Sequence, residues 1–562
     1  GKSYSKWGGF ISGVDEFDPL FFNMSPLEAR QTDPQERLFL QCVYQTLEDA
    51  GQTRESLRRA GRVGVFVGAM YQEYQLYAAQ AQARGEALVV GASLGSIANR
   101  ISYFCDFHGP SLSVDTMCSS SLTALHLACQ SLRTGDCEVA IAGGVNVSVH
   151  PNKYLMLSHA QFASSTGRCT AFAAGGDGYV PAEAVGAVLL RPLAAALADR
   201  DQIYGVIKAI EVNHGGRTNA YTVPSPKAQA ELIGRVIERS GVPPRAISYL
   251  EAHGTGTALG DPIEVAGLQQ AFSRDIDARG LCAIGSVKSN IGHAESAAGI
   301  AGLTKVLLQL RHGELAPSLH ARTLNPHIDF DDSPFTVQRE RAPWPRPMVV
   351  EAGGIREYPR VAGISSFGAG GSNAHMIVQE HRADDVARVD PSSWPTPVVL
   401  LSARNEERLR VRVQQLLAML ERTPDEAIDL HDVAYTLQVG RESMDHRFAV
   451  VADSHGRLKE ALRRYLDGDR EADGMHVGAV RHDRFAQSLL SPDEDMQRAT
   501  EAWLAKGRYA KLLDLWVVGL AVDWTRLYGA SKPRRISLPT YPFARQRYWP
   551  DEPVVSAPAA VA

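Results

Sequence analysis

"VDTMCSSSLTALHLACQSLRTGDCEVAIAGG" occupies Val114 to Gly144. An apolar strand breaks at a small-residue turn, a helix follows, and a second apolar strand follows the helix. Cys118 sits where the first strand gives way to the helix. The serine-rich first turn carries capping chemistry, and Gly135 follows the helix end as a C-terminal cap. A thiol at a helix start faces unpaired amide N–H groups and the positive end of the dipole. Both favour the thiolate and are expected to lower the thiol pKa. Most cysteines are simply small core residues, and Cys105, Cys129, Cys137 and Cys282 are read that way. The strand-to-helix turn sets Cys118 apart as a candidate nucleophile.

Outward from this unit the pattern repeats. Residues 61–69, 137–145, 186–193, 204–213 and 246–254 read as strands. Their near-continuous Val/Ile/Leu runs suit strands covered on both faces. Helical stretches are expected at 119–133, 226–240, 262–273 and 295–312, giving an α/β layered architecture. The polar, proline-bearing stretch "HRADDVARVDPSSWPTP" (381–397) reads as a linker. A second α/β unit follows from 398, with arginine-rich amphipathic helices at 405–421 and 456–466. The end, "VVSAPAAVA", has the composition of a disordered tail.

Bulk properties narrow the classes. The 562 residues suffice for two to four domains. A net charge of −5 offers no electrostatic case for nucleic acid or anionic membranes. No apolar run is long enough to span a bilayer, and "GKSYSKWGGF" is no signal peptide. Seven scattered cysteines without a C-x-x-C pair fit a reduced, cytoplasmic setting and no metal site.

Three more loops carry chemistry. In "YLEAHGTGTALGDPIEVAGL" (249–268) a strand ends at His253, a Gly/Thr loop follows, and Asp261-Pro262 is expected to cap and open a helix. The glycines resemble a dinucleotide fingerprint, but the G-x-G-x-x-x-G spacing and the separate cap argue against one. In "AIGSVKSNIGHAESAAGIAGLTKVLLQL" (283–310) a strand ends near Lys288, and His293 enters an Ala/Gly-rich helix. Lys288 and Glu295 bracket that histidine and are placed to pair with each other. In "VAGISSFGAGGSNAHMIVQE" (361–380) Gly368, Gly370 and Gly371 let backbone amides approach a ligand. A P-loop reading of this loop lacks its Lys-Ser/Thr.

"DTMCSSS", "EAHGTGT", "KSNIGH" and "FGAGGSNAH", in that order, resemble the β-ketoacyl synthase of modular polyketide synthases. The resemblance implies the thiolase fold: two similar halves forming a five-layer αβαβα core, with a small α/β flanking subdomain. It divides the chain into a ketosynthase (1–383), a linker (384–397), a flanking subdomain (398–532), a segment wrapping back over the ketosynthase (533–550) and a tail (551–562). It also implies a first strand and helix ahead of "SYSKWGGF", and a homodimer. No G-x-S-x-G acyltransferase elbow lies between the subdomain and "RRISLPTYPFARQRYWP" (534–550). The expectation is therefore a synthase whose acyltransferase is a separate protein.

The resemblance assigns roles. Cys118 takes an acyl chain from an upstream acyl carrier protein. The oxyanion lies against the amides of Cys118 and Ala369. His253 and His293 donate hydrogen bonds as a malonyl unit on a second carrier loses CO2. Lys288 and Glu295 support the histidines, and Phe367, Thr255 and Thr257 complete the substrate loops. No cofactor is bound, because the phosphopantetheine arm belongs to the carrier. Ala369 replaces a phenylalanine common in relatives. Met117 either lines the acyl pocket or packs in the core. Rival readings are a non-elongating acyl-transferring ketosynthase, one of a branching module, a docking scaffold and a thiolase proper. The arginines of the second unit, Arg408 and Arg412 among them, are either a solvated face or a guide for an acidic carrier.

Overall fold

The computed structural model describes residues 2–273, 279–382, 394–470, 474–481, 494–529 and 531–550. Most of the expected linker and the whole tail lie outside them.

In the N-terminal half, helix α1 (Pro34–Asp49) precedes β1 (Val63–Gly68), α2 (Leu94–Cys105), β2 (Ser111–Val114), α3 (Ser120–Thr134), β3 (Val139–Asn146), α4 (Asn152–His159) and β4 (Ala184–Leu190). The C-terminal half runs β5 (Val206–His214), α5 (Pro226–Ser240), β6 (Ile247–Glu251), α6 (Gly260–Phe272), β7 (Cys282–Gly285), α7 (Ala298–His312), β8 (Phe335–Val337), β9 (Val361–Phe367) and β10 (Ser372–Gln379). One sheet has the order β2-β1-β3-β4, the other β8-β7-β6-β9-β10-β5. Three neighbouring strands run parallel in the first sheet and four in the second, and in each the next is antiparallel: β4 beside β3, β10 beside β9. The halves are thus two versions of one pattern. In the second half β5 covers the outer edge of β10; β4 has no such neighbour among the described residues.

Helices α3 and α7 lie between the sheets, and α1, α2, α5 and α6 cover the outside. This is the five-layer arrangement of the thiolase fold. β1 and β3 are buried at every residue, because helices cover both faces, and this accounts for their unbroken apolar runs. Small residues let the middle helices touch. A Cβ on Gly299 would fall 2.6 Å from Leu122 Cγ, and Ser121 Oγ accepts the Ile300 amide across the contact at 3.1 Å.

Beyond residue 397 an antiparallel sheet, β11 (Val398–Ala403), β12 (His446–Val451) and β13 (Met475–Ala479), packs against α8 (Glu406–Arg422), α9 (Leu430–Val439) and α10 (His455–Leu466). Its buried side chains, Val399, Leu409, Val413 and Phe448 among them, run continuously into the core around Leu40, Val43 and Leu47 of α1. The chain then returns to the first half. Glu16 and Phe17 pair with Arg547 and Gln546, and Tyr541 and Phe543 join Phe21, Phe22 and Tyr44 in an aromatic cluster.

The arginines divide differently from the sequence reading. Arg412 is only 3% exposed and pairs with buried Glu48 of α1 at 3.2 Å. Arg408 reaches the carbonyls of Pro542 and Phe543. Both turn inward because α8 lies between the body and the returning segment, so neither belongs to a free carrier-facing surface. Arg457, Arg463 and Arg464 remain outside, each paired with a neighbouring carboxylate.

Candidate active site

The chemistry-bearing loops all leave the C-terminal ends of parallel strands, where open α/β sheets place their ligands: Cys118 after β2, His253 after β6, His293 after β7. They meet with the 367–371 loop around one cleft of about 980 Å³. Met117, Cys118, His253, Thr255, Thr257, His293, Glu295 and Phe367 to Gly371 all line it. Of the residues singled out in the sequence, only Lys288 is set back from this lining.

Cys118 stands on a strained turn. Met117 before it is left-handed, with φ +57°, as occurs where a backbone is held for function. The serines fix the turn rather than cap the helix. Ser120 Oγ accepts the Thr116 amide at 2.9 Å and donates to the Met117 carbonyl at 2.6 Å, and Ser119 makes no side-chain cap. Ser366 Oγ donates to the Cys118 carbonyl at 2.7 Å, tying β9 to the turn. Gly368 has to be glycine, because a Cβ there would meet the Thr116 carbonyl at 2.4 Å. The backbone amides of Ala369 and Cys118 both bear on the sulfur.

The thiol corrects the sequence expectation. Burial pushes Cys118 up to about 12, and the Glu295 carboxylate adds to the shift. Lys288 and the two amides oppose it without prevailing. Desolvation of a charged sulfur outweighs the field of a helix start, so the resting group is a neutral thiol.

The histidines stand edge to face, centroids 5.5 Å apart. The Phe367 amide donates to His253 Nδ1 at 3.2 Å, and the Glu295 amide to His293 Nδ1 at 2.9 Å. An N–H can only donate, so each Nδ1 is unprotonated and each neutral ring carries its hydrogen on Nε2. Burial first, and then Lys288, holds both imidazoles well below the usual histidine range. The site therefore presents two neutral N–H donors. Their loops are rigidly held. The Glu264 carboxylate accepts the amides of His253 and Gly254 at 2.7 and 2.8 Å, and His293 bonds through its backbone to Val180 and Ala182.

Two further expectations give way. Asp261 does not cap a helix starting at Pro262; α6 opens at Gly260. The Asp261 carboxylate instead turns back to accept the amides of Phe172 and Gly256, fixing the Gly/Thr loop. Lys288 opens a one-turn helix (Lys288–Ile291) after β7 has ended at Gly285, and it does not pair with Glu295. Glu295 turns away to form a buried ion pair with Lys153 of α4, while Lys288 faces Glu251, Glu264 and Cys118. Sequence reasoning passed over Lys153, Tyr71, Tyr179 and Glu264. The one signal for Lys153 was a lone cation in the otherwise uncharged stretch "HPNKYLML".

Comparison with known proteins agrees with the geometry. Residues 1–196 match the model of the β-ketoacyl synthase N-terminal domain, and residues 204–322 that of its C-terminal domain. Residues 400–469 match the RhiE-like, KS-MAT linker domain. The chain is 58% identical to polyketide synthase PksL of Bacillus subtilis over 98% of its own length and 12% of that protein's. It is 55% identical to polyketide synthase ThaG of Burkholderia thailandensis over 99% of its own length and 10% of that protein's. It thus spans about a tenth of these curated relatives. Among solved structures, the oxazolomycin ketosynthase domain OzmH KS7 of Streptomyces albus is 50% identical. The match covers 98% of this chain and 89% of that one, at a TM-score of 0.86. The ketosynthase from module 6 of the bacillaene synthase of B. subtilis is 40% identical, covering 96% of this chain and 90% of that one, at a TM-score of 0.85.

Proposed function

The chain belongs to the β-ketoacyl synthase family, and we propose that it performs decarboxylative condensation within a modular polyketide synthase, extending an acyl chain by two carbons. The observation that carries this reading is the convergence on one cleft of a buried thiol and two imidazoles, each offering a neutral Nε2–H. Such donors suit a negative charge that builds and vanishes within one cycle. A single acyl transfer calls for the two amides beside Cys118 but not for two further donors. The presence of both His253 and His293 therefore favours elongation over bare transfer.

In the first step Cys118 Sγ attacks the carbonyl of an acyl thioester whose oxygen lies against the amides of Cys118 and Ala369. The carrier's pantetheine thiol leaves. The proton lost by Cys118 ends on that departing thiol, so the exchange is neutral overall and a high thiol pKa does not forbid it. In the second step a malonyl thioester enters and its C–C bond to the carboxylate breaks, releasing CO2. His253 and His293 donate to the enolate oxygen. The carbanion attacks the acyl-Cys118 carbonyl, the β-ketoacyl chain stays on the incoming carrier, and the Cys118 sulfur regains a proton from water. Lys288, close to both rings, supports their neutral state.

The partners in this reading are an upstream and a same-module acyl carrier protein, a separate acyltransferase and a second copy of the chain. Edge strand β2 is incompletely buried, with Leu112 and neighbouring Tyr103 exposed, which suits a two-fold interface. The test is intact-protein mass spectrometry after incubation with acyl thioesters. The wild type should gain one acyl mass and Cys118→Ala none. Equal labelling of the two would remove Cys118 from its role.

A further inference from the structure

Helix α4 carries a lysine that the condensation scheme does not use. Lys153 is 0% exposed. Its ammonium pairs with the Glu295 carboxylate, itself 1% exposed, and donates to Asn146 Oδ1 at 3.0 Å. It also lies 4.7 Å above the ring of Tyr71, another residue of the cleft wall. The other oxygen of Glu295 faces Tyr179, which links it to the histidine: Oε1 accepts from Tyr179 at 3.2 Å, and the Tyr179 ring lies 4.6 Å from that of His293. The Glu295 backbone is left-handed, with φ +46°, and its amide makes the bond to His293 Nδ1.

A carboxylate two residues from a buried imidazole would, alone, favour the imidazolium, and an imidazolium cannot serve as the neutral donor the site is built to present. We propose that Lys153 is a positioning residue for the condensation: its buried ammonium cancels the charge of Glu295 beside His293, so that Glu295 can hold the His293 tautomer through its amide without drawing a proton onto the ring. This rests on the reading of His293 as a condensation donor. A purely structural role, pinning α4 to the His293 loop, is the alternative. The other groups facing His293 are Lys288, His253, Tyr179, the Cys118 thiol and Cys169, whose sulfur bears on the His293 backbone. Glu73 and Glu183 also feel the Lys153 charge, from farther along its own pocket.

The test follows condensation rate against pH, with acyl loading of Cys118 measured by mass in each sample. In Lys153→Met the unopposed Glu295 carboxylate should move the acidic limb up by about one pH unit, a loss of roughly tenfold on its acid side. Adding Glu295→Gln removes the unopposed charge, and the double variant should return the limb toward the wild-type position. A structural role would lower the melting temperature and leave the limb in place. Lys153→Met with a wild-type limb, or a double variant still shifted, overturns the proposal. Should Lys153→Met fail to fold, histidine-labelled 15N NMR of the wild-type enzyme decides. A neutral, Nε2-protonated His293 at pH 6 is expected, and an imidazolium signal there overturns the proposal. His293→Ala is the control for the underlying reading: if it still condenses, the donor role fails, whatever Lys153 does.

Discussion

His253 and His293 lie 5.5 Å apart, edge to face, and the Nδ1 of each is occupied by a backbone amide, from Phe367 and from Glu295. Two different loops have thus arrived at the same tautomer. Each loop leaves a cleft-lining ring whose one N–H is on Nε2. The pairing leaves each neutral ring an N–H donor and no free nitrogen lone pair with which to act as a base toward Cys118.

His253→Ala and His293→Ala should each still accept an acyl group on Cys118 and lose condensation by about 10²-fold or more, the scale of a deleted oxyanion donor. Comparing acyl loading with β-ketoacyl product formation in the same sample checks this. A variant that forms product normally would remove that histidine from the decarboxylation step.

The neutral resting thiol has its own signature. With Cys118 pushed up to about 12, its thiolate fraction rises about tenfold per pH unit across the whole neutral range. Iodoacetamide labelling of Cys118 should therefore climb from pH 7 to 9.5 without levelling. A plateau below pH 8 would indicate a thiolate stabilised by the helix start, as the sequence alone suggested.

Glu48 joins three segments: its carboxylate takes Arg412 of α8 at 3.2 Å and the Tyr541 amide of the returning segment at 2.6 Å. Removing one partner of a buried pair leaves the other charged and unpaired, at a cost of about 3–5 kcal/mol. Glu48→Ala should lower the melting temperature and speed proteolysis of residues 398–550, while acylation of the surviving folded fraction is unchanged. Unaltered denaturant unfolding would contradict the role.

Arg412→Glu should fail in the same way. It puts a second buried carboxylate against Glu48, so its defect should appear in stability and with small soluble thioesters as well. A fully stable variant, slow only with carrier-bound substrate at low salt, would return Arg412 to a carrier-guiding surface.

How far the sequence reached follows from what its signals measure. Cys118, His253 and His293 were legible because each sits where an apolar strand run meets small residues, and strand ends are where a sheet presents chemistry. The covered strands showed in their unbroken apolar runs. Charge was legible only as composition. Nothing in a linear string shows that Arg412 points at Glu48, 364 positions away, or that Glu295 would choose Lys153 over nearby Lys288. The thiol pKa was misread for a related reason. A helix start can be seen in sequence, whereas burial, the larger effect here, is a property of everything packed around Cys118.

The most direct measurement of the central claim loads Cys118 with an acyl group, removes excess donor, and adds a malonyl carrier protein labelled with 13C in the free carboxyl group. The account predicts one labelled CO2 and one β-ketoacyl carrier per acyl-enzyme consumed, with Cys118 returned to its unmodified mass. Acyl transfer to the carrier pantetheine thiol without loss of label would contradict it and leave a transferring enzyme in its place.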